Sequence, residues 1–204
     1  MKRRMNGIAA ALLAGILILG GCSGTAALGN ADPDPAALSS EASEKTADAE
    51  SAYTAFLKDF YQQNPSQDTN LYGMRDLDGD GVPELVLLLA GTEVKVYAFN
   101  GTVTEIGGHD FMTGTLRLLY TDHPSYPGIL YFTAGGGAEH YGYITVRDHV
   151  LVNEKLWDKT LPDSEDQSAG EIVEYASDKD LIEESKTAYQ ENRDMEFIPL
   201  ESLA

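Results

Sequence analysis

Residues 76–85 read DLDGDGVPEL, which sets Asp76, Asp78 and Asp80 on alternate positions and Glu84 shortly after them. Carboxylates crowded this closely repel one another by up to about a few kcal/mol per pair at an effective dielectric near 20, and a bound cation removes that repulsion. Gly79 and Gly81 let the backbone curl, so that alternate side chains point at one centre, and the Val82 carbonyl falls between the last two carboxylates. The ion this arrangement predicts is calcium, which takes roughly six to eight oxygens at about 2.3–2.6 Å in flexible geometry, whereas magnesium keeps its waters. Without His or Cys in the stretch, zinc and copper are poorly served. The expected ligands are Asp76, Asp78, Asp80 and Glu84 through their side chains and Val82 through its carbonyl. The competing reading is a solvated acidic turn.

Other residues with chemical potential form no local motif. His109, His123, His140 and His149 fall in predicted turns or at strand ends, and the pairs His109-Asp110 and Glu139-His140 are neighbours that point to opposite faces of a strand. Ser125 near His123 lacks a nucleophile elbow, and Gly135-Gly136-Gly137 reads as a bulged or wide hairpin loop rather than a phosphate cradle. Tyr126, Tyr131, Tyr141 and Tyr143 surround that loop, and two roles are open to them. They form either a row that stacks on a sugar or anchors a protein, or core packed under the helices. A pocket with two close carboxylates or a convergent His and Asp would favour a hydrolase, and a flat exposed tyrosine patch beside the acidic loop would favour a binding module.

The balance of 14 Lys and Arg against 33 Asp and Glu gives a formal charge of −19, which repels nucleic acid and attracts cations and basic partners. Lys2, Arg3 and Arg4 precede an apolar segment, Ile8 to Leu19, which has the form of a secretory signal and is shorter than the ~20 residues that span a bilayer as a helix. Cys22 is the only cysteine, so the domain holds no internal disulfide.

The elements that must position the acidic loop can be read from periodicity. Residues 22–50 are rich in Ala, Ser, Pro and acidic residues and read as a disordered tether, with a helix over Ala36 to Ala49 as the alternative. From Ser51, the residues Tyr53, Phe56, Leu57, Phe60 and Tyr61 form one stripe of a helix that ends at Asn64-Pro65. Strands follow at Leu85 to Ala90, apolar on both faces, then Glu93 to Phe99, Thr102 to Ile106, Leu116 to Tyr120, Ile129 to Thr133, Tyr141 to Val146 and Val150 to Trp157. Asn100-Gly101 predicts a type I′ turn with both residues at positive φ. A polar loop covers 158–170. Ser177 is the expected N-cap of a second helix that turns Leu181, Ile182, Ala188 and Tyr189 inward, and Phe197 to Leu200 closes the chain. The expected fold is α+β: an antiparallel meander of about seven or eight strands flanked by an N-terminal and a C-terminal helix. The expected divisions are 1–21 as signal, 22–50 as tether and 51–204 as one domain.

Two resemblances extend this reading. Leu19-Gly20-Gly21-Cys22 resembles the lipobox of bacterial lipoprotein precursors, which implies a diacylglyceryl group on Cys22, cleavage before it, and lipid anchorage to a cell membrane, facing the outside of the cytoplasm. The acidic loop resembles the Asp-x-Asp-x-Asp-Gly calcium loops of FG-GAP and VCBS-type β-repeats, with Glu84 where those place aspartate. It departs from an EF-hand, whose twelfth position is Leu87 here. One motif without a repeat does not build a propeller. As a whole the chain resembles a set of uncharacterised Gram-positive lipoproteins, which implies location and ion but no activity. The expectation is a lipid-anchored binding or interaction module with a structural calcium ion, no catalysis, and an envelope glycan or protein as partner. The alternative is a cell-envelope hydrolase or a substrate-binding accessory to one.

Overall fold

A computed structural model describes residues 35–64, 69–111, 115–160 and 170–203. The basic start, the apolar segment and Cys22 lie outside the described residues, as do Pro65 and most of the polar loop 158–170.

The described residues form ten strands and two α-helices in an α+β fold, with one helix before the strands and one near the C-terminus. The strands divide into two antiparallel sheets of five. The first has the order β10-β1-β2-β3-β4 and the second β5-β6-β7-β8-β9. In the first sheet β1 is Leu71–Arg75, β2 Glu84–Leu89, β3 Glu93–Phe99, β4 Val103–Asp110 and β10 Ile198–Pro199. In the second, β5 is Leu116–Tyr120, β6 Ile129–Gly135, β7 Ala138–Arg147, β8 Val150–Thr160 and β9 Ile172–Glu174. The strands beyond the seven or eight expected are β1 and β9, which are short and carry little alternation.

The sheets pack face to face, and a helix covers each outer face. Between them lie Val86, Val94 and Val96 from one sheet and Leu118, Ile129, Ile144 and Val146 from the other. Helix α1, Pro35–Gln63, places Ala49, Tyr53 and Leu57 on Leu85, Leu87 and Leu89. Helix α2, Lys179–Gln190, places Leu181, Ile182 and Ala188 on Leu130, Tyr141 and Trp157. This layering explains the unbroken apolar run of β2, whose alternate residues face α1 and the second sheet.

Several local expectations need correction. The tether does not run to residue 50, because α1 begins at Pro35 and Ala49 is fully buried in the core. Alanine has the highest helix propensity, and Ala49, Tyr53 and Leu57 continue a single stripe at four-residue spacing. The N-cap of α2 is Asp178, not Ser177; its Oδ1 accepts the N–H groups of Asp180 and Leu181 at 3.1 Å each. At Asn100-Gly101 only Gly101 has positive φ, at 75°. Paired positive φ values occur instead at Gly136-Gly137, at Asp148-His149, and at Ala90-Gly91, 50° and 77°, where Thr92 N–H closes on the Leu89 carbonyl at 3.1 Å. The triple glycine makes a tight two-residue turn, with Gly135 opposite Ala138, rather than a wide loop.

The segment after α2 holds the two sheets together at their edges. Met195 N–H donates to the Leu118 carbonyl at 2.7 Å and the Arg193 carbonyl accepts Tyr120 N–H at 2.9 Å on β5; β10 then pairs with β1. Edge strands covered in this way are not free to pair with other chains. Within the second sheet, Gly142 faces Tyr131 across β6 and β7, and a Cβ there would collide with the Tyr131 ring. We expect Gly142→Ala to destabilise the fold by about 2 kcal/mol through overpacking. Urea unfolding would show this as a lower midpoint, and an unchanged midpoint would mean that the ring moves aside without cost.

Candidate metal centre

The acidic stretch is the connection between β1 and β2 at one end of the sandwich. Leu77 is fully buried between the sheets. Its carbonyl accepts the Val146 N–H at 3.1 Å and the Thr145 hydroxyl at 2.8 Å, which fastens the loop to the second sheet. Gly79 and Gly81 have φ of 82° and 88°, a left-handed conformation that costs glycine little and most other residues more. The loop then curls back on its own carboxylates. Asp76 accepts the N–H groups of Gly79 at 2.7 Å and Gly81 at 3.0 Å, Asp78 accepts that of Asp80 at 3.0 Å, and Asp80 accepts that of Val82 at 2.7 Å.

Three of the four expected side-chain ligands converge. Asp76, Asp78 and Glu84 each place a carboxylate oxygen within 4.8 Å of the others. Oxygens bound to one calcium at about 2.4 Å can be no more than about 4.8 Å apart, so the donor set fits that ion in type and spread. Asp80 stands outside this group, with one oxygen on the Val82 N–H, and Val82 is engaged there through its N–H. The converged side-chain donors are Asp76, Asp78 and Glu84, a set that could hold a metal ion, and Asp80 is not among them.

Glu84 is the most informative member. It is 5% exposed and accepts the Leu77 N–H on Oε2 at 2.7 Å. Burial pushes its carboxyl up to about 8; the Leu77 N–H opposes this, and Asp78, Asp76 and Asp80 add to it. Burial likewise raises Asp78, with Asp80 and Asp76 contributing. A dication among these groups would favour their ionised forms. The position of Glu84 is legible from sequence, but its burial is not, because it depends on α1 and the two sheets closing around the end of β2.

Cavities surround the loop. One of about 600 Å³ includes Asp76, His123 and Tyr126 in its lining; one of about 270 Å³ includes Lys45, Asp78, Glu84 and His149; one of about 460 Å³ includes Asp78, Tyr126 and Asp178. The N-terminal part of α1 reaches the loop through Thr46, whose hydroxyl donates to the Gly81 carbonyl at 3.2 Å.

The candidate tyrosine surface is not a surface. Tyr131, Tyr141 and Tyr143 are buried. Tyr141 stacks on Trp157 at 3.5 Å and 9°, Tyr143 donates to the Pro127 carbonyl at 2.6 Å, and Tyr131 donates to Asn153 at 3.0 Å. Both faces of the second sheet are covered, so strand alternation buries tyrosines whichever way they point. Tyr126 alone is partly exposed; its ring lies 4.7 Å from that of His123, tilted by 33°, and its hydroxyl donates to Asp178 at 2.9 Å.

Sequence spacing also missed a His–Asp pair. His140 Nδ1 lies 2.9 Å from Asp158 Oδ1, because the two residues face each other across β7 and β8. The other Asp158 oxygen is taken by Lys155 at 2.6 Å and the Tyr175 hydroxyl at 2.9 Å. Desolvation opposes ionisation of Asp158, but these three donors together hold its carboxyl below the usual range. Four polar groups meet in this cross-strand network, which needs no ligand.

The chain matches no protein-family model, no curated protein and no solved structure. Among the described residues no helix is long and apolar enough to cross a membrane.

Proposed function

We propose that this chain is a lipid-anchored, extracytoplasmic binding module whose β1–β2 loop holds a structural calcium ion, without catalysis of its own. The observation that carries the calcium half is the convergence of Asp76, Asp78 and buried Glu84 within 4.8 Å. Anchorage rests on the lipobox-like Leu19-Gly20-Gly21-Cys22, and the partner class, an envelope glycan or protein, on the cavities that open around the loop. In this reading the cation stabilises the end of the sandwich at which ligands arrive.

A thermal melt of the full chain with calcium, with magnesium and with chelator tests the ion. Extracellular calcium modules bind at about 0.1–1 mM, so 1 mM calcium acting on a site near 0.1 mM adds roughly 1.4 kcal/mol, a rise of about 3–6 °C for a domain this size. Asp78→Ala should remove the rise and leave a folded chain. An equal rise in that variant, or the same rise with magnesium, would sink the proposal.

One observation bears on the hydrolase alternative, the His140–Asp158 pair, which lines none of the cavities described above. It predicts turnover of an envelope polymer that His140→Ala abolishes without changing the melt.

A further inference from the structure

Arg75, the last residue of β1, is placed unusually for an arginine in so acidic a chain. Among the described residues Arg117 pairs with Asp194, Arg147 with Glu154, and Arg193 with Glu184, Glu191 and Asp122. Arg75 alone of the described arginines has no carboxylate of the described residues within ion-pair distance. Two carboxylates close at hand in the chain are engaged with backbone N–H groups of the loop. Its cross-strand neighbour Glu84 binds the Leu77 N–H, and the next residue, Asp76, binds those of Gly79 and Gly81.

The guanidinium is nevertheless held in place. One terminal nitrogen donates to the Thr121 carbonyl at 2.6 Å, and the group lies 5.4 Å from the centre of the Tyr120 ring. One of its five N–H donors is thereby used, and the planar fork is oriented in advance. Arg75 lies where two grooves meet, of about 600 and 460 Å³, which share it and Met74. A half-buried, pre-oriented guanidinium without a counter-ion, open to a groove, is the usual means of gripping a carboxylate or phosphate with two parallel hydrogen bonds.

The neighbours narrow the choice. Asp76 and Asp122, the latter 3.4 Å from Arg193, line the larger groove; Glu196 and Asp194, the latter paired with Arg117, line the smaller one. A ligand with negative charge alone meets Arg75 but is opposed by these groups. A ligand carrying a carboxylate and an ammonium group a few bonds apart satisfies both, and His123 and Tyr126, their rings tilted at 33° to each other, line the same groove.

We propose that the groove between β1 and the end of β5 binds a short zwitterionic ligand of the amino-acid or peptide class, its carboxylate on Arg75 and its ammonium towards Asp122. This deepens the binding-module reading and rests on it, but it does not depend on the calcium loop. The two can fail separately, because the melt reports the ion while the experiment below reports the groove.

The test is an amide-resonance titration of the isotope-labelled full chain, run with and without calcium, using glycylglycine, its C-amide, its N-acetyl form and inorganic phosphate. Free glycylglycine is expected to shift the amides of Arg75, Thr121 and Asp122 in both conditions, and the C-amide to bind at least ten-fold more weakly. Arg75→Gln should lose binding by a similar factor, and Arg75→Lys should restore part of it. Asp122→Asn, which leaves Arg75 untouched, should weaken the free dipeptide but not the N-acetyl form. No shift at these amides, equal binding of the C-amide, or full binding by a folded Arg75→Gln chain would each overturn the proposal. Phosphate binding as tightly as the dipeptide would overturn the ammonium half.

Discussion

With calcium chelated, the domain should lose stability as the pH rises from about 5 to about 8, and added calcium should abolish most of that loss. The cause is Glu84, whose carboxyl is raised from 4.5 to about 8 in the folded chain. Between those values the folded state holds a proton that the unfolded state has released, so unfolding free energy falls with pH. Each tenfold difference in proton affinity between the two states is worth about 1.4 kcal/mol, so the full fall is on the order of a few kcal/mol. The trend reverses below about pH 4, because Asp158 is held below its ordinary value and its contribution is lost as it protonates. The apo domain should therefore be most stable near about pH 5.

Calcium changes the sign of the problem. In the proposed site it would meet the ionised carboxylates, so its affinity should rise by up to about ten-fold per pH unit until Glu84 is deprotonated. Glu84→Gln preserves an acceptor for the Leu77 N–H and removes the charge. That variant should melt higher than the parent at pH 8 without calcium, and should show neither the pH slope nor the calcium response. Melts at half-unit pH steps with and without chelator decide the matter. A flat apo profile would mean that Glu84 is solvated and that the loop is an ordinary acidic turn.

The second large effect is expected from Leu77→Ala. Leu77 is the one fully buried side chain of the loop, inserted between the two sheets. Truncation leaves its backbone hydrogen bonds to Val146, Thr145 and Glu84 in principle intact, but opens a cavity. Leu→Ala changes in cores cost about 2–5 kcal/mol, a large part of a typical domain's total stability of about 5–15 kcal/mol. Because the same residue anchors the loop, calcium binding should weaken as well. Leu77→Met, which fills the space, should cost less than about 1.5 kcal/mol and keep the ion. Urea unfolding together with calcium titration calorimetry separates the two effects. A Leu77→Ala chain that loses stability but binds calcium unchanged would show that the carboxylates hold their own geometry.

Much of the architecture is legible in local pattern. Tyr53, Phe56, Leu57, Phe60 and Tyr61 mark a covering helix, and the run Leu85 to Ala90 marks a strand buried on both faces. Both readings rest on periodicity, which burial against any partner would impose. The split of the strands into two sheets is not legible, since alternation reveals that a face is buried but not against what. The short strands β1, β9 and β10 are missed or blurred because two to five residues carry too little pattern. The tyrosine row is ambiguous for the same reason: a side chain that faces α2 and one that faces solvent have the same spacing.

By itself the sequence determined that an acidic loop follows a helix and leads into a strand, and that the domain is α+β with a helix at each end. Those properties depend on residue type and on spacing within a few turns of chain. Only the tertiary structure decided that Glu84 is buried, that Asp76 and Asp78 join it while Asp80 does not, that His140 meets Asp158, and that Arg75 is left facing a groove. Each of these depends on which distant segments close around a side chain. Burial and charge pairing are set by that three-dimensional neighbourhood, and no local spacing records it.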